Sequence, residues 1–370
     1  MGKISKITVF IAKRKIGCSD MKNSDKLSRE YRERADYSDV KILGKTPREY
    51  MEESLLEDEN FAVVNISADD ADGVLPDGTD GFGVLLYTDM PLVSKSEIIS
   101  VTEAMAYRNL NELRSNDALF FRQKPPLRAA AVGMRGDSFL SVKDAASYAA
   151  VYGILRRRIL DGLIEKGARI QDTNSVTADS TVIVKKGTVI APYNIIRGRT
   201  YIGEDNFIDG GNIIDDAYIG DNNAVAQSNL CGCYVGNNCA VGPFATLRHG
   251  ANIGNNCRIG DYVEIKKAVL GDGVKAAHLA YIGDAEIGEG SNVGCGTVFA
   301  NYDGKVKRRT TVGSNVFIGA NTNLVAPLRV GDNAFIAAGS TVTDDVPENA
   351  FAIAREKQTV KKNYADKYKK

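Results

Sequence analysis

The sequence has no excess of either charge, no long apolar run, no paired cysteine signature and almost no histidine. Each lack narrows what the chain can be. Lys plus Arg number 47 and Asp plus Glu number 47, so no global field points to nucleic acid or to an anionic membrane surface. No stretch approaches the ~18 consecutive apolar residues that mark a membrane-spanning helix. The opening residues MGKISKITVFIAKRK carry charge on both sides of a short apolar run and lack a small-residue cleavage site. They read as a first strand and not as a signal peptide. Lys6 stands where myristoylation of Gly2 would want Ser or Thr. The six cysteines, Cys18, Cys231, Cys233, Cys239, Cys257 and Cys295, fit neither spaced zinc ligands nor a compact disulfide framework. Cys231-Gly-Cys233 admits a metal or redox reading, but small buried side chains in tight coils are the expectation. Free thiols imply a reducing, cytoplasmic setting.

What is present is a repeat. An aliphatic residue recurs every six positions at Val184, Ile190, Ile196, Ile202, Ile208 and Ile214. The pattern returns at Val235, Val241, Leu247, Ile253, Ile259 and Ile265, and again at Val312, Ile318, Leu324, Val330, Ile336 and Val342. Gly often follows the aliphatic residue, with Asn and Asp crowded behind it. Period six matches neither a helix nor simple strand alternation. It predicts a solenoid of three short strands per coil, about 18 residues per turn. The aliphatic side chain fills the interior, while Gly, Asn and Asp form the corners. The phase slips at Leu270-Gly271. It is interrupted by the basic insertion NYDGKVKRRTT, Asn301 to Thr311, and a loop ejected from a regular solenoid points to function.

The first half reads differently. LLYTDMPLV followed by SKSEIISVTEAMAYRNL predicts a buried strand, a loop and a helix, and strands alternating with helices suggest an α/β domain. DADGVLPDGTDG reads as a Gly/Asp-rich loop. The predicted order is an α/β domain over 1–150, a linking helix over 151–168, a β-helix over 169–354 and a basic tail over 355–370.

The chain has two histidines, His249 and His278. A base that takes an amine proton near neutral pH is best supplied by histidine. His278 lies in KAAHLAYIGDAEIG, where the hexad phase slips, so its side chain can face a groove. His249, in LRHG, reads as a solvated corner residue. Arg248, Lys266 and Lys307 offer cations for a phosphate. Lys266 and Lys267 are adjacent in a strand, so only one of them can enter a site.

The segments GPFATLRHGANIG, IGDYVEIKKAVLGDGVKAAHLAYIGDAEIG, NVGCGTVFANYDG and LVAPLRVGDNAFIAAGSTVTDDVPENAFAIAR closely resemble the acetyltransferase half of the GlmU family, bacterial bifunctional N-acetylglucosamine 1-phosphate uridyltransferase/glucosamine 1-phosphate acetyltransferases. The resemblance implies a left-handed parallel β-helix, acetyl-CoA as acetyl donor and glucosamine 1-phosphate as acceptor. It makes His278 the base. It implies that Arg248, Lys266, Tyr281, Asn292 and Lys307 hold the acceptor, and that Cys295, Asn301, Tyr302, Ala320, Ala338 and Arg355 line the acetyl-CoA site. It also implies a homotrimer that binds neither nucleic acid nor membrane. The family commonly has Ala at Cys295, Ser at Ala320 and Pro at His249. Loss of the Ala320 hydroxyl bears on rate more than on reaction type.

The first half departs further from that family. Its uridyltransferase opens with a Gly-rich phosphate-cradling loop, whereas here the first strand runs into IAKRKIGCSDMKNS. ILGKTPREYMEESL resembles the strand and helix that follow that loop. Asp89 in LLYTDMPLV matches a metal-binding position, but Lys143 falls on the second, an Asn in the family. A lysine there opposes Mg²⁺. The reading is a shortened nucleotidyltransferase-like domain without activity, with Mg²⁺ relevant only if it is active. The alternatives are a fully bifunctional enzyme that also uses UTP, and a trimer that binds sugar phosphate and CoA without turnover.

Overall fold

In a computed structural model of the 370-residue chain, the described residues are 7–12, 41–55, 61–66, 82–87, 90–108, 112–115, 118–122 and 140–368. The chain divides into two compact units, Met1–Ile159 and Leu160–Lys370.

The first unit holds a five-stranded sheet of β1 (Ile7–Ala12), β2 (Phe61–Ile66), β3 (Phe82–Tyr87), β4 (Glu112–Ser115) and β5 (Ala118–Arg122), in the order β2-β1-β3-β5-β4. The pairs β1–β2 and β1–β3 are parallel, and β5 is antiparallel to both neighbours. Val9, Ile11, Val84, Leu86 and Phe120 are buried with Met51, Leu55, Ile98 and Met105 from helices α1 (Pro47–Leu55) and α2 (Lys95–Arg108). The start of α1 is written locally. The Thr46 hydroxyl accepts from the Glu49 N–H at 3.2 Å, and the Glu49 carboxylate accepts from the Thr46 N–H at 2.6 Å, a reciprocal cap. Helix α3 (Ala145–Glu165) is capped by Asp144, whose carboxylate accepts from the Ser147 N–H at 2.7 Å. Asp89, residues 13–40 and the Gly/Asp-rich segment 70–81 lie outside the described residues.

The second unit is a left-handed parallel β-helix. Every aliphatic residue of the three hexad runs is buried, from Val184 at 2% exposure to Val342 at 5%. Burial of each such side chain contributes about 1.5–3 kcal/mol, so the interior column holds the solenoid together. The slips are now placed. Between the first two runs the interior passes through Ile219, Val225 and Leu230, and successive coils there pair residues 16 positions apart, as in Tyr218 with Tyr234. Other coils repeat at 17, as in Asp261 with His278, or at 18, as in Phe317 with Phe335. Leu270 is the interior residue of its coil, one position early. The insertion stretches the repeat to 25 between Asn292 and Phe317 without displacing the buried Phe299.

The corners have their own buried ladder. Asn194 accepts from the Asn212 amide at 2.9 Å, and the Asn206 and Asn223 side chains donate to the carbonyls of Gly220 and Gly236. Cys239 and Cys257 continue this column, their thiols donating to the carbonyls of Gly254 and Gly271 at 3.1 and 3.2 Å. Cys233 is also buried, and desolvation pushes its thiol up to about 12. The small-buried reading thus holds for Cys233, Cys239 and Cys257, but Cys295 is exposed and Cys231 half-buried. Cys18 lies outside the described residues.

Candidate functional site

The two longest strands of the β-helix, Arg258–Lys266 and Lys275–Gly283, lie on neighbouring coils and run without a break around one corner. Each turns that corner on a residue in the left-handed region, Tyr262 at φ 57° and Leu279 at φ 30°. Asp261 and His278 immediately precede these residues, pair in register, and have exposed side chains. His278 Nδ1 and Asp261 Oδ1 are 2.8 Å apart. The contact from His278 holds the Asp261 carboxyl below the ordinary aspartate range.

Above His278 the same corner carries small residues. Ala276 pairs with Val293, Val293 with Ile318, and Ile318 with Ile336. Two positions beyond those partners stand His278, Cys295, Ala320 and Ala338, all exposed. The Arg355 side chain lies where a Cβ on Gly339 would meet its Cδ at 3.5 Å. Residues 60 positions apart in sequence thus form one exposed column, because each coil adds one residue to it.

The next corner along the strands carries cations. Leu247 pairs with Ile265 and Lys266 with Gly283, which puts Arg248, Lys266 and Gly283 in a second column. Arg248 Nη1 donates to Glu264 Oε1 at 2.7 Å, on the face between the two corners. Lys307, from the ejected loop, and then Arg248 push the Lys266 ammonium below the ordinary lysine range. Like charges so gathered, with no carboxylate paired to the lysines among the described residues, favour an anion between them. Lys267, at φ 48°, is turned out of this column and exposed. The base of the insertion is fixed by Asn301, buried, whose amide donates to Asp284 at 2.5 Å while its carbonyl accepts from the Arg308 N–H. Tyr302 is exposed, and its hydroxyl donates to the Gly304 carbonyl.

Tyr281 lies between the corners, in register with Glu264. Its hydroxyl and the Asn301 amide converge over Gly283: a Cβ there would meet them at 2.6 and 2.7 Å. Substituting Gly283→Ala is therefore expected to displace the Tyr281 ring and the buried Asn301 amide that fixes the base of the insertion. The thermal midpoint should fall and substrate KM should rise several-fold; an unchanged KM would show that neither side chain contributes.

The structure thus brings together Arg248, Lys266, Tyr281, Asn301 and Lys307, and separately lines up His278, Cys295, Ala320 and Ala338. Asn292 stands apart, on the adjoining face in register with Lys275 and Phe317. His249 is exposed, with Nε2 3.4 Å from Cys231 Sγ. Two residues escaped the sequence reading: Asp261 and Glu264. Their signal was the coil repeat itself, since Asp261 and Glu264 lie one 17-residue coil before His278 and Tyr281. Among the described residues no group of three His, Cys, Asp or Glu side chains is placed to hold a metal, and no helix is long and apolar enough to cross a membrane.

The bacterial transferase hexapeptide (six repeats) family matches residues 232–267 and 309–344. Together with the coil geometry this defines the class: a left-handed β-helix transferase built on hexapeptide repeats. The chain is 40% identical over 275 residues to the bifunctional protein GlmU of Clostridium acetobutylicum, covering 73% of this chain and 60% of that protein. It is 45% identical over 226 residues to the GlmU of Listeria monocytogenes, covering 61% of this chain and 50% of that protein. The chain is thus similar to GlmU proteins over most of its own length, and it spans 60% and 50% of the length of these two relatives. A solved UDP-N-acetylglucosamine acyltransferase from Campylobacter jejuni is 22% identical, covers 50% of this chain and 71% of that chain, and has a TM-score of 0.38, too low to bear on function.

Proposed function

We propose that this chain transfers the acetyl group of acetyl-CoA to the amine of glucosamine 1-phosphate, supplying N-acetylglucosamine 1-phosphate for UDP-N-acetylglucosamine and cell-envelope synthesis. The observation that carries the reading is the pairing of two corners on the same two strands. One presents His278 beneath a column of small exposed residues, the other gathers Arg248, Lys266 and Lys307. An acceptor whose amine and phosphate sit on adjacent sugar carbons spans such a pair. His278 takes the amine proton as nitrogen attacks the thioester carbonyl; the C–N bond forms, the C–S bond breaks, and the CoA sulfur leaves with a proton returned from the imidazolium. The three cations and Tyr281 hold the sugar phosphate, with Asn292 added from the adjoining face. Cys295, Ala320 and Ala338 present an edge without bulky side chains along which the pantetheine arm lies. Asn301, Tyr302 and Arg355 complete the acetyl-CoA site. The assembly is a cytoplasmic homotrimer in this reading.

Release of CoA thiol from acetyl-CoA and glucosamine 1-phosphate tests it, assayed beside other amino-sugar phosphates. Absence of thiol above a His278→Ala control for every acceptor sinks it. Binding of CoA without turnover would instead favour a non-catalytic trimer. Replacing Lys266 or Lys307 with alanine is expected to raise acceptor KM by about tenfold, the weight of one charge-assisted contact, with less effect on unphosphorylated glucosamine. Because its neighbours depress Lys266, that contact should weaken as pH rises through the lowered value, before an ordinary lysine would deprotonate. A flat acceptor KM across that alkaline range would count against the role.

The bifunctional alternative needs Mg²⁺ in the first unit. Lys143 occupies the predicted ligand position, just before the cap of α3, with its N–H donating to the Ser147 hydroxyl at 2.9 Å. A lysine side chain does not fit a cation site. Pyrophosphate release from UTP and N-acetylglucosamine 1-phosphate is expected to be absent.

A further inference from the structure

We infer that Asp261 is a positioning residue for His278, locking the neutral imidazole with its proton on Nδ1 so that the Nε2 lone pair faces the groove. The inference rests on the acetyltransferase reading for its kinetic arm only. Histidine has two ring nitrogens, and which one carries the proton is set by the hydrogen-bond partners they meet: the nitrogen that faces an acceptor carries it. Free neutral imidazole side chains prefer the proton on Nε2, which is the wrong tautomer for a base acting through that nitrogen. A carboxylate accepts and cannot donate, so Asp261 Oδ1 at 2.8 Å from Nδ1 selects the Nδ1–H form.

The placement follows from the coil geometry. Asp261 and His278 are register partners, and both are thrown outward by the left-handed residue that follows each. Gly260 and Ala277, the residues before them, are in backbone contact, since a Cβ on Gly260 would stand 1.8 Å from the Ala277 carbonyl oxygen. The two side chains are therefore held one coil apart by packing at their own backbone, and the contact does not depend on a flexible tether. With one short carboxylate and one ring, little side-chain entropy opposes it.

The charged and titratable side chains around His278 come from three coils. The coil below contributes Asp261, Arg258 and Glu264; its own strand contributes Lys275 and Tyr281; the coil above contributes Cys295. Only Asp261 among these makes a hydrogen bond to the imidazole.

The test compares wild type, Asp261→Ala and Asp261→Asn in the full chain. With only two histidines in the sequence, ¹⁵N-labelled histidine gives a ring spectrum in which a His249→Ala variant assigns His278. The expected wild-type spectrum above the imidazole titration is the Nδ1–H form, shifting to the Nε2–H form in Asp261→Ala. Thiol release should show kcat lower by about 10–100-fold in Asp261→Ala with acceptor KM within about twofold, a loss of orientation without loss of binding. Asp261→Asn keeps an oxygen that accepts the same proton, so it should recover most of kcat. A His278 tautomer that is unchanged by Asp261→Ala overturns the inference, and so does an Asn variant as slow as Ala. Should wild type turn over no acceptor, the acetyltransferase reading falls, and the ring spectrum alone decides the role of Asp261.

Discussion

Replacing His278 with alanine is expected to lower kcat for thiol release by about 10²–10⁴-fold, the range a single general base contributes. The fold should be untouched. His278 has an exposed side chain whose one hydrogen-bond partner among the described residues is the exposed Asp261 carboxylate, so its removal opens no cavity and strands no buried group. Acetyl-CoA binding should also survive, because the proposed cofactor column of Cys295, Ala320 and Ala338 lies in the coils above and is held by backbone bonds such as Asn321 N–H to Cys295 O at 2.7 Å. The signature is therefore a fall in kcat with unchanged melting and little change in donor KM. His249→Ala is the matched control: the same residue type is removed from another exposed corner, and activity should stay within about twofold of wild type. If His278→Ala kept wild-type kcat, the proton would have to go elsewhere and the catalytic assignment would be wrong.

The largest stability effect is expected at Gly260. A Cβ there would lie 1.8 Å from the Ala277 carbonyl oxygen and 2.6 Å from its carbon, both backbone atoms of the next coil. No rotamer change relieves such a contact, and the strands on either side are tied by pairs from Arg258–Lys275 to Lys266–Gly283. Gly260→Ala must then pry the two coils apart, at a cost of about 3 kcal/mol, the upper part of the range for overpacking. For a unit of this size that is a fall of about 10 °C in the β-helix melting transition. Nearest-neighbour coupling in a solenoid concentrates the damage at this interface, so thiol release should fall as well. Gly162→Ala in α3, where a Cβ meets nothing within 4 Å, should instead stabilise by about 0.5–1 kcal/mol. Equal melting of the two variants would refute the packing argument.

Some of the candidate site was legible because it is encoded locally. His278 was singled out by scarcity and by the phase slip around it, and Lys307 by the ejected loop. Asp261 was not, because nothing in GDYVEIKK marks one acidic residue over another. Its importance comes from a neighbour 17 positions away, and that number varies along the chain: 16 at Tyr218, 18 at Phe317, 25 at Asn292. The pairing of Arg248 with Glu264 was hidden for the same reason. The cysteines divide likewise. Cys239 and Cys257 replace asparagine in a buried corner ladder, whereas of Cys231 and Cys233, two residues apart, the first is half-buried and the second buried.

From the sequence alone came the solenoid, its interior column and the ejected loop, since burying one aliphatic residue per hexad is a local demand that any coil length satisfies. Which side chains meet across coils was decided only by the tertiary structure. Register accumulates every one-residue slip at the corners, so the column that joins Asp261, His278, Cys295, Ala320 and Ala338 exists only once all the coils between them are stacked.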